Sequence, residues 1–232
     1  MTYANIQPGI FLRRSNRFIA EVKLGSHTEN CHVKNTGRCK ELLVPGAEVY
    51  VNKSTNPART TKYDLISVWK GTRLVNMDSQ APNRCFGEFL GQGGFIDGAT
   101  LVKPETKYGS SRFDFYVEAG NRKIFIEVKG VTLEENGVAM FPDAPTERGV
   151  RHLNELAACV AHGYEAHIVF VIQMQGVRYF TANFKTHPEF GTTLATAVNA
   201  GITATAFDCL VTENTLLINQ PVKVKIMQTP VS

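Results

Sequence analysis

Alternation of apolar and polar residues dominates the first third of the chain. GIFLRR (9–14) and KYDLISVWKG (62–71) alternate and break at glycine or at polar residues, which is typical of strands that bury one face. The predicted strands are residues 9–14, 16–25, 29–34, 47–53, 62–71 and 72–77. GRCKELL (37–43) predicts a short helix that ends at Pro45-Gly46. Short strands with one small helix predict a small barrel, and an OB-like barrel is the first candidate.

The pattern changes near residue 80. The segment DSQAPNR (78–84) is polar and contains Pro82, so we expect a domain boundary there. The predicted domains are an OB-like nucleic-acid-binding domain at 1–80 and a second domain at 81–232.

Helical and strand patterns alternate in the second domain. A short helix is predicted from residue 84, and longer helices at 146–161 and 188–201. The continuous apolar run AHIVFVIQM (166–174) is typical of a buried central strand, whereas residues 132–145 are predicted to form a loop. The fold class is therefore α/β (α+β), with a barrel followed by a mixed sheet and flanking helices.

Composition restricts the class of protein. With 43% hydrophobic and 20% charged residues among 232, the chain is an ordinary globular protein. The N-terminus lacks the pattern of a signal peptide, and the longest apolar run (167–172) is too short to cross a membrane. The five cysteines include no CxxC pair, which favours free thiols in a reducing cytoplasm over disulfides or a zinc site at Cys31, His32 and Cys39. We therefore expect a cytoplasmic protein without a membrane partner.

Charge is unevenly distributed between the two domains. Residues 1–78 hold 12 Lys and Arg against 6 Asp and Glu, and residues 79–232 hold 13 against 15. A basic first domain favours a polyanionic partner, although a solvated basic face without any partner fits the charge equally well.

A hairpin in the second domain carries the candidate chemistry. In FDFYVEAGNRKIFIEVKG (113–130), a turn at Gly120-Asn121 would place Asp114 opposite Glu127, with Lys129 on the same face. Phe113, Phe115 and Val117 would then belong to the apolar face. A divalent metal would offset the repulsion between the two carboxylates, and the lysine could position water or stabilise charge on a phosphate.

Asp and Glu-x-Lys on adjacent strands resemble the core of the PD-(D/E)xK nuclease arrangement. The alternative is a surface hairpin with a Lys–Glu ion pair and an incidental aspartate. Glu88, in the preceding helix, could supply another carboxylate to a metal, or be a solvated residue. On the helix after the hairpin, Arg148, Arg151 and His152 could bind phosphates, or form a solvated face.

Four segments together resemble the sugar fermentation stimulation protein A (SfsA) family. They are NTGRCKELLVPG (35–46), SSRFDF (110–115), IEVKGVTL (126–133) and FPDAPTERGVRHLNEL (141–156). The resemblance implies an OB-like domain joined to a restriction-endonuclease-like, PD-(D/E)xK domain that binds and cleaves DNA. It implies that Asp114, Glu127 and Lys129 are the catalytic residues, and that Glu88, Arg148 and His152 are further site residues.

In the barrel, the resemblance implies that Arg13, Arg17 and the segment Asn35-Thr36-Gly37 face nucleic acid. The family often has Cys-Pro before Asn-Thr-Gly, where this chain has Val33-Lys34; Lys34 would suit a phosphate contact. We add Arg14, Arg38 and Lys40 to the expected nucleic-acid-binding residues.

The combined hypothesis is a Mg²⁺- or Mn²⁺-dependent nuclease acting on DNA, or on RNA. Asp114, Glu127, Glu88 and the Val128 carbonyl are the expected metal ligands. The alternative is a non-catalytic DNA-binding regulator of sugar-metabolism genes, which would bind in a salt-dependent way without cleavage.

Overall fold

The computed structural model describes residues 1–35 and 37–227. In the first domain the strands are β1 (Ile6–Asn16), β2 (Ile19–Leu24), β3 (His27–Val33), β4 (Glu48–Lys53), β5 (Tyr63–Lys70) and β6 (Arg73–Asn76). Strand β1 pairs with β2 and β4, β2 pairs with β3, and β4 pairs with β5, all antiparallel. A parallel pairing of β3 with β5 closes a five-stranded barrel, as the alternation predicts. Strand β6 extends β5 outside this ring.

The predicted helix at 37–43 is wrong. Residues 40–42 form turns, in which the amides of Leu42 and Leu43 both donate to the Cys39 carbonyl. Cys39 adopts a positive φ of 45°, a conformation that interrupts a right-handed helix. Leu42 is buried in the barrel core, so the apolar residues of this segment pack against the barrel without forming a helix.

The second domain contains three helices among the described residues: α1 (Ala81–Gly91), α2 (Glu147–Ala161) and α3 (Pro188–Asn199). Its strands are β7 (Leu101–Tyr108), β8 (Ser111–Ala119), β9 (Arg122–Val131), β10 (Leu133–Glu135), β11 (Val138–Phe141), β12 (Glu165–Ile172), β13 (Tyr179–Ala182), β14 (Thr203–Val211), β15 (Leu216–Val222) and β16 (Val224–Lys225). The central sheet has the order β15-β14-β12-β9-β8-β7 and mixes parallel and antiparallel pairs, which confirms the predicted fold class. No helix in the described part of the chain is long and apolar enough to cross a membrane.

The main sheet is buried on both faces. Phe86 of α1 packs against Phe115 on one face, while Leu153 and Leu156 of α2 belong to the core on the other. All five cysteines are free and buried, in agreement with the expectation from their spacing.

A second, smaller sheet takes two of its strands, β10 and β11, from residues 132–145, which were predicted as a loop. Strands β10, β11, β13 and β16 form it in that order. These strands have two to four residues each, too few for an alternating pattern to be recognised in the sequence.

The polar segment between the domains is ordered by buried hydrogen bonds. Helix α1 begins at Ala81 with Pro82 in its first turn, a position that suits proline because no intrahelical amide bond is lost there. The Gln173 amide donates to Asn76 Oδ1 and to the Asp78 carbonyl. The first residues of the chain also lie against the second domain, because the Met1 ammonium donates to the Leu216 carbonyl.

Ion pairs further connect the barrel to the second domain. Buried Glu134 of β10 accepts hydrogen bonds from Lys70 of β5, and its Oε2 lies 2.9 Å from Arg73 of β6. Because these groups lie at the ends of different elements, they fix the orientation of the barrel on the second domain.

Candidate active site

The hairpin has the predicted register from Ala119 back to Phe115, but the ladder ends before the predicted pair of Asp114 and Glu127. Strands β8 and β9 meet at Gly120-Asn121, with Ala119 paired to Arg122 and Phe115 paired to Ile126. Gly120 has a φ of 59°, which glycine adopts without steric cost in a two-residue hairpin turn.

The alternation of β8 is interrupted at Asp114. Its Oδ2 accepts the backbone amide of Val128 at 2.7 Å, a donor that would otherwise bond to a strand carbonyl. Phe115 packs on Phe86 of α1, but Phe113 lies on the opposite side, 5.4 Å from Phe125 between ring centroids. The expectation that Phe113 and Phe115 share one face is therefore wrong. The Asp114 carboxylate, instead of a backbone carbonyl of β8, accepts the Val128 amide, and the regular strand pairing is interrupted there.

Glu127 is almost completely buried, with 3% of its surface exposed. Its Oε1 accepts hydrogen bonds from Lys129 Nζ at 2.6 Å and from His152 Nδ1. Burial alone would raise the pKa of Glu127, but the His152 hydrogen bond and the Lys129 charge outweigh it, so the pKa is lowered. The other oxygen, Oε2, is buried and has no hydrogen-bond partner among the described residues.

Asp114 is held through both of its carboxylate oxygens. Asn83 of α1 donates its side-chain amide to Oδ1, and Val128 donates to Oδ2. Burial, and then the negative charge of Glu127, raise the pKa of Asp114 to about 6. Two carboxylates on neighbouring strands thus repel one another in a poorly solvated place, a situation that a cation would relieve.

Helix α2 supplies the histidine beside Glu127. The Thr146 hydroxyl accepts the Gly149 amide and caps the helix. Arg148 and His152 are four residues apart and therefore lie next to each other on the helix. Arg148 Nε lies 3.3 Å from His152 Nε2. We expected His152 to be accessible to phosphates, but it is only 2% exposed. Arg148 and Arg151, by contrast, are exposed.

Glu88 lies apart from the hairpin carboxylates. Its Oε2 is 2.7 Å from the ammonium group of Met1, beside β15 rather than β8. The α1 side chain that reaches Asp114 is Asn83. It was not among the predicted site residues, because only acidic residues were considered as partners on this helix. Its place in the first turn of the helix that precedes the sheet could have indicated it.

Two of the expected nucleic-acid contacts in the barrel have internal partners. The Arg14 guanidinium donates to the backbone carbonyls of Arg17, Asn35, Gly37 and Arg38. Lys34 Nζ lies 3.3 Å from Asp64 and 3.2 Å from Asp78, both buried. Arg14 therefore organises the loop after β3, and Lys34 neutralises buried acids.

The other expected barrel contacts are on the surface or in this loop. Arg13 pairs with Glu21, and the Arg17 guanidinium lies 4.5 Å from the ring centroid of half-exposed Phe18. Asn35 Oδ1 accepts the Gly37 amide. Arg38 and Lys40 are exposed and line one cavity of about 230 Å³. Thr36 lies outside the described residues.

The donor set of the hairpin fits a hard divalent cation. Asp114 and Glu127 offer oxygen ligands, which Mg²⁺, Mn²⁺ and Ca²⁺ prefer, and the buried Oε2 of Glu127 has no hydrogen-bond partner in the part of the chain that the structure describes. Val128 contacts the pair through its amide, which binds Asp114.

Among the described residues, one cluster of three candidate metal ligands occurs elsewhere, at Glu147, His187 and Glu189. His187 Nδ1 accepts the Thr146 amide, which assigns the ring proton to Nε2. Nε2 then faces Glu147 and Glu189 at 3.9 and 3.8 Å as a donor. The proton assignment makes this cluster a poor metal site.

An OB-type barrel fixed to a mixed α+β sheet that buries an Asp–Glu–Lys–His cluster defines the class of this protein. Family models described as "SfsA N-terminal OB domain" and "Sugar fermentation stimulation protein RE domain" match residues 12–77 and 80–215. The chain belongs to the sugar fermentation stimulation protein family.

Relatives match over nearly the whole chain. A sugar fermentation stimulation protein homolog of Ruminiclostridium cellulolyticum is 58% identical, covering 97% of this chain and 100% of that protein. A homolog of Desulfitobacterium hafniense is 56% identical, and the match covers 98% of this chain and 100% of that protein. The solved structure of Pyrococcus furiosus SfsA in complex with Ca²⁺ superposes with a TM-score of 0.89 at 29% identity, covering 97% of this chain and 98% of that chain.

Proposed function

We propose that this protein is a divalent-cation-dependent nuclease that hydrolyses phosphodiester bonds in DNA or RNA, with its site at the end of the β8–β9 hairpin. The observation that carries the proposal is the buried Oε2 of Glu127, which has no hydrogen-bond partner within residues 1–35 and 37–227, together with Asp114, whose pKa is raised by burial and by Glu127. A protein that only binds nucleic acid has no need for two buried, repelling carboxylates, because such a pair costs stability.

Asp114 and Glu127 would hold the Mg²⁺ or Mn²⁺, with the Val128 carbonyl as a third expected ligand. A divalent cation at such a site polarises the phosphate and lowers the pKa of bound water. The family member from Pyrococcus furiosus binds Ca²⁺, which prefers the same oxygen ligands as Mg²⁺.

Lys129 has two roles in this proposal. Its ammonium lies 2.6 Å from Glu127 Oε1, so it holds one oxygen of the carboxylate and leaves the other as the one that would bind the cation. From the same position it can orient the attacking water, or stabilise negative charge on the phosphate in the transition state. Arg151 and Arg148, exposed on α2 beside His152 in sequence, are candidates to bind the flanking phosphates.

The barrel would bind the nucleic acid outside the cleavage site. Arg17, Arg38 and Lys40 remain the best candidates, because they are exposed, whereas Arg14 and Lys34 bind internal acceptors. OB barrels bind nucleic acids on one face through cations and aromatic rings.

The direct test is degradation of end-labelled single- and double-stranded DNA and RNA in Mg²⁺ or Mn²⁺, with a chelator as control. Glu127→Gln and Lys129→Met should each reduce cleavage by at least about a hundredfold. Lys123→Met, which removes an exposed lysine from the far end of β9, should cleave as the wild type does. Metal-independent binding without any cleavage would instead support the non-catalytic DNA-binding alternative.

A further inference from the structure

His152 is a buried polar residue whose environment differs from that expected of a phosphate ligand. It lies between Glu127 on one side and Arg148 on the other, and its ring edge approaches Phe113 at 6.1 Å between centroids. With 2% of its surface exposed, it cannot reach a nucleic-acid backbone while α2 is folded. Its contacts must therefore explain its presence in the core.

The hydrogen bonds assign the protonation of the ring. The Nε–H of Arg148 points at His152 Nε2 at 3.3 Å, so Nε2 is the acceptor. The ring proton is then on Nδ1, where it is donated to Glu127 Oε1. A cation on the helix surface thus fixes the tautomer of a buried imidazole, which in turn orients a carboxylate.

The consequence for Glu127 is asymmetry between its two oxygens. Oε1 receives the hydrogen bonds of Lys129 and His152 together, while Oε2 receives none from the described residues. Without His152, Lys129 alone would hold the carboxylate, and one donor on a flexible stem permits rotation about the terminal torsion. Two donors from different elements, β9 and α2, restrict that rotation.

We propose that His152 is a positioning residue that, with Arg148 behind it, orients Glu127 so that its Oε2 faces the divalent cation. The inference rests on the cation site of the proposed function and adds the element that aligns it. Hydrogen-bonded partners of metal ligands commonly act in this way, and their loss typically lowers metal affinity by about 10–100-fold.

The experiment measures Mn²⁺ binding to the full chain without nucleic acid, by electron paramagnetic resonance of the free ion and by calorimetry. His152→Ala should weaken binding by about 10–100-fold. His152→Asn should restore most of the affinity, because asparagine carries an N–H donor near the position of Nδ1. Glu127→Ala should abolish binding at the site.

Leu156→Val is the matched control, since Leu156 is buried on the same helix one turn further along. It should lower the thermal midpoint without weakening Mn²⁺ binding. If it weakens binding as much as His152→Ala does, general loosening of α2 explains the effect and the positioning role is wrong.

A second readout separates this role from phosphate binding. In a chelator, fluorescence anisotropy with labelled DNA should give the same affinity for His152→Ala as for the wild type; a loss there would overturn the proposal.

Two further outcomes separate this inference from the proposed function. Wild-type Mn²⁺ affinity in His152→Ala, with binding lost in Glu127→Ala, would reject the positioning role and leave the cation site intact. Unchanged binding in Glu127→Ala would reject the cation site itself.

Discussion

The hairpin site and the barrel surface were both predicted from charged residues, yet the structure uses these residues differently. Asp114, Glu127 and Lys129 come together, and Glu127 retains an oxygen without a partner among the described residues. In the barrel, Arg14 and Lys34 instead bind internal carbonyls and buried acids. The difference lies in what surrounds each side chain: the hairpin residues lie on two paired strands, whereas the loop after β3 folds back onto Arg14 and occupies its guanidinium.

Arg14→Ala tests the internal role with the largest expected effect. The carbonyls of Arg17, Asn35, Gly37 and Arg38 lose a charged donor, so we expect a loss of about 3 kcal/mol in the free energy of unfolding. Urea denaturation measures it. Arg17 is an exposed neighbour stacked on Phe18, so Arg17→Ala should lower the free energy of unfolding by no more than about 1 kcal/mol. Equal losses in the two variants would show that Arg14 has no special internal role.

Lys34→Met should have the next largest effect. Asp64 retains Arg59 and Asp78 retains Tyr3, and Lys34 is itself partly exposed, so we expect about 2 kcal/mol, less than for a fully buried pair. Thermal unfolding at constant pH checks this. A variant as stable as the wild type would return Lys34 to the set of free phosphate-binding residues.

Asp114 provides a pH-dependent test of the hairpin in the metal-free protein. Because its folded pKa, about 6, exceeds the ordinary value of 3.8, the folded state binds the proton more tightly than the unfolded state. The destabilisation caused by ionising Asp114 in the folded state is absent well below pH 4, grows as the pH rises, and is nearly complete above about pH 6. Between pH 5 and 7 the free energy of unfolding should fall by about 1 kcal/mol more in the wild type than in Asp114→Asn.

Denaturant titrations of both proteins at the two pH values give this difference. Parallel behaviour of wild type and Asp114→Asn would show that Asp114 is solvated, and the case for a repelling carboxylate pair would weaken. Saturating Mn²⁺ should reduce the difference, since a bound cation favours the ionised form.

Arg38→Ala gives the smallest expected change and tests the surface half of the comparison. Its stability should stay within about 0.5 kcal/mol of the wild type. The slope of log affinity for DNA against log salt concentration should fall by about one, because one phosphate contact is lost. An unchanged slope would remove Arg38 from the expected nucleic-acid-binding surface.

Much of the fold was predictable because it depends on local periodicity. The barrel strands, the helices at α2 and α3 and the buried strand β12 follow from alternation, helical spacing and apolar runs. The short strands β10, β11 and β13 were missed because three or four residues carry no period. The helix at 37–43 was wrong because a buried leucine pair in a turn imitates one turn of an amphipathic helix.

The sequence by itself determined the hairpin register between Phe115 and Ile126, since a two-residue turn at Gly120-Asn121 pairs Ala119 with Arg122 and so fixes the pairs that follow. Only the tertiary structure decided which residues surround the candidate site. His152 and Asn83 reach it from helices that pack on opposite faces of the sheet, while Glu88 turns to the Met1 ammonium. The physical reason is that strand pairing is set by neighbouring residues, whereas the rotation of a helix on a sheet is set by the packing of its whole apolar face.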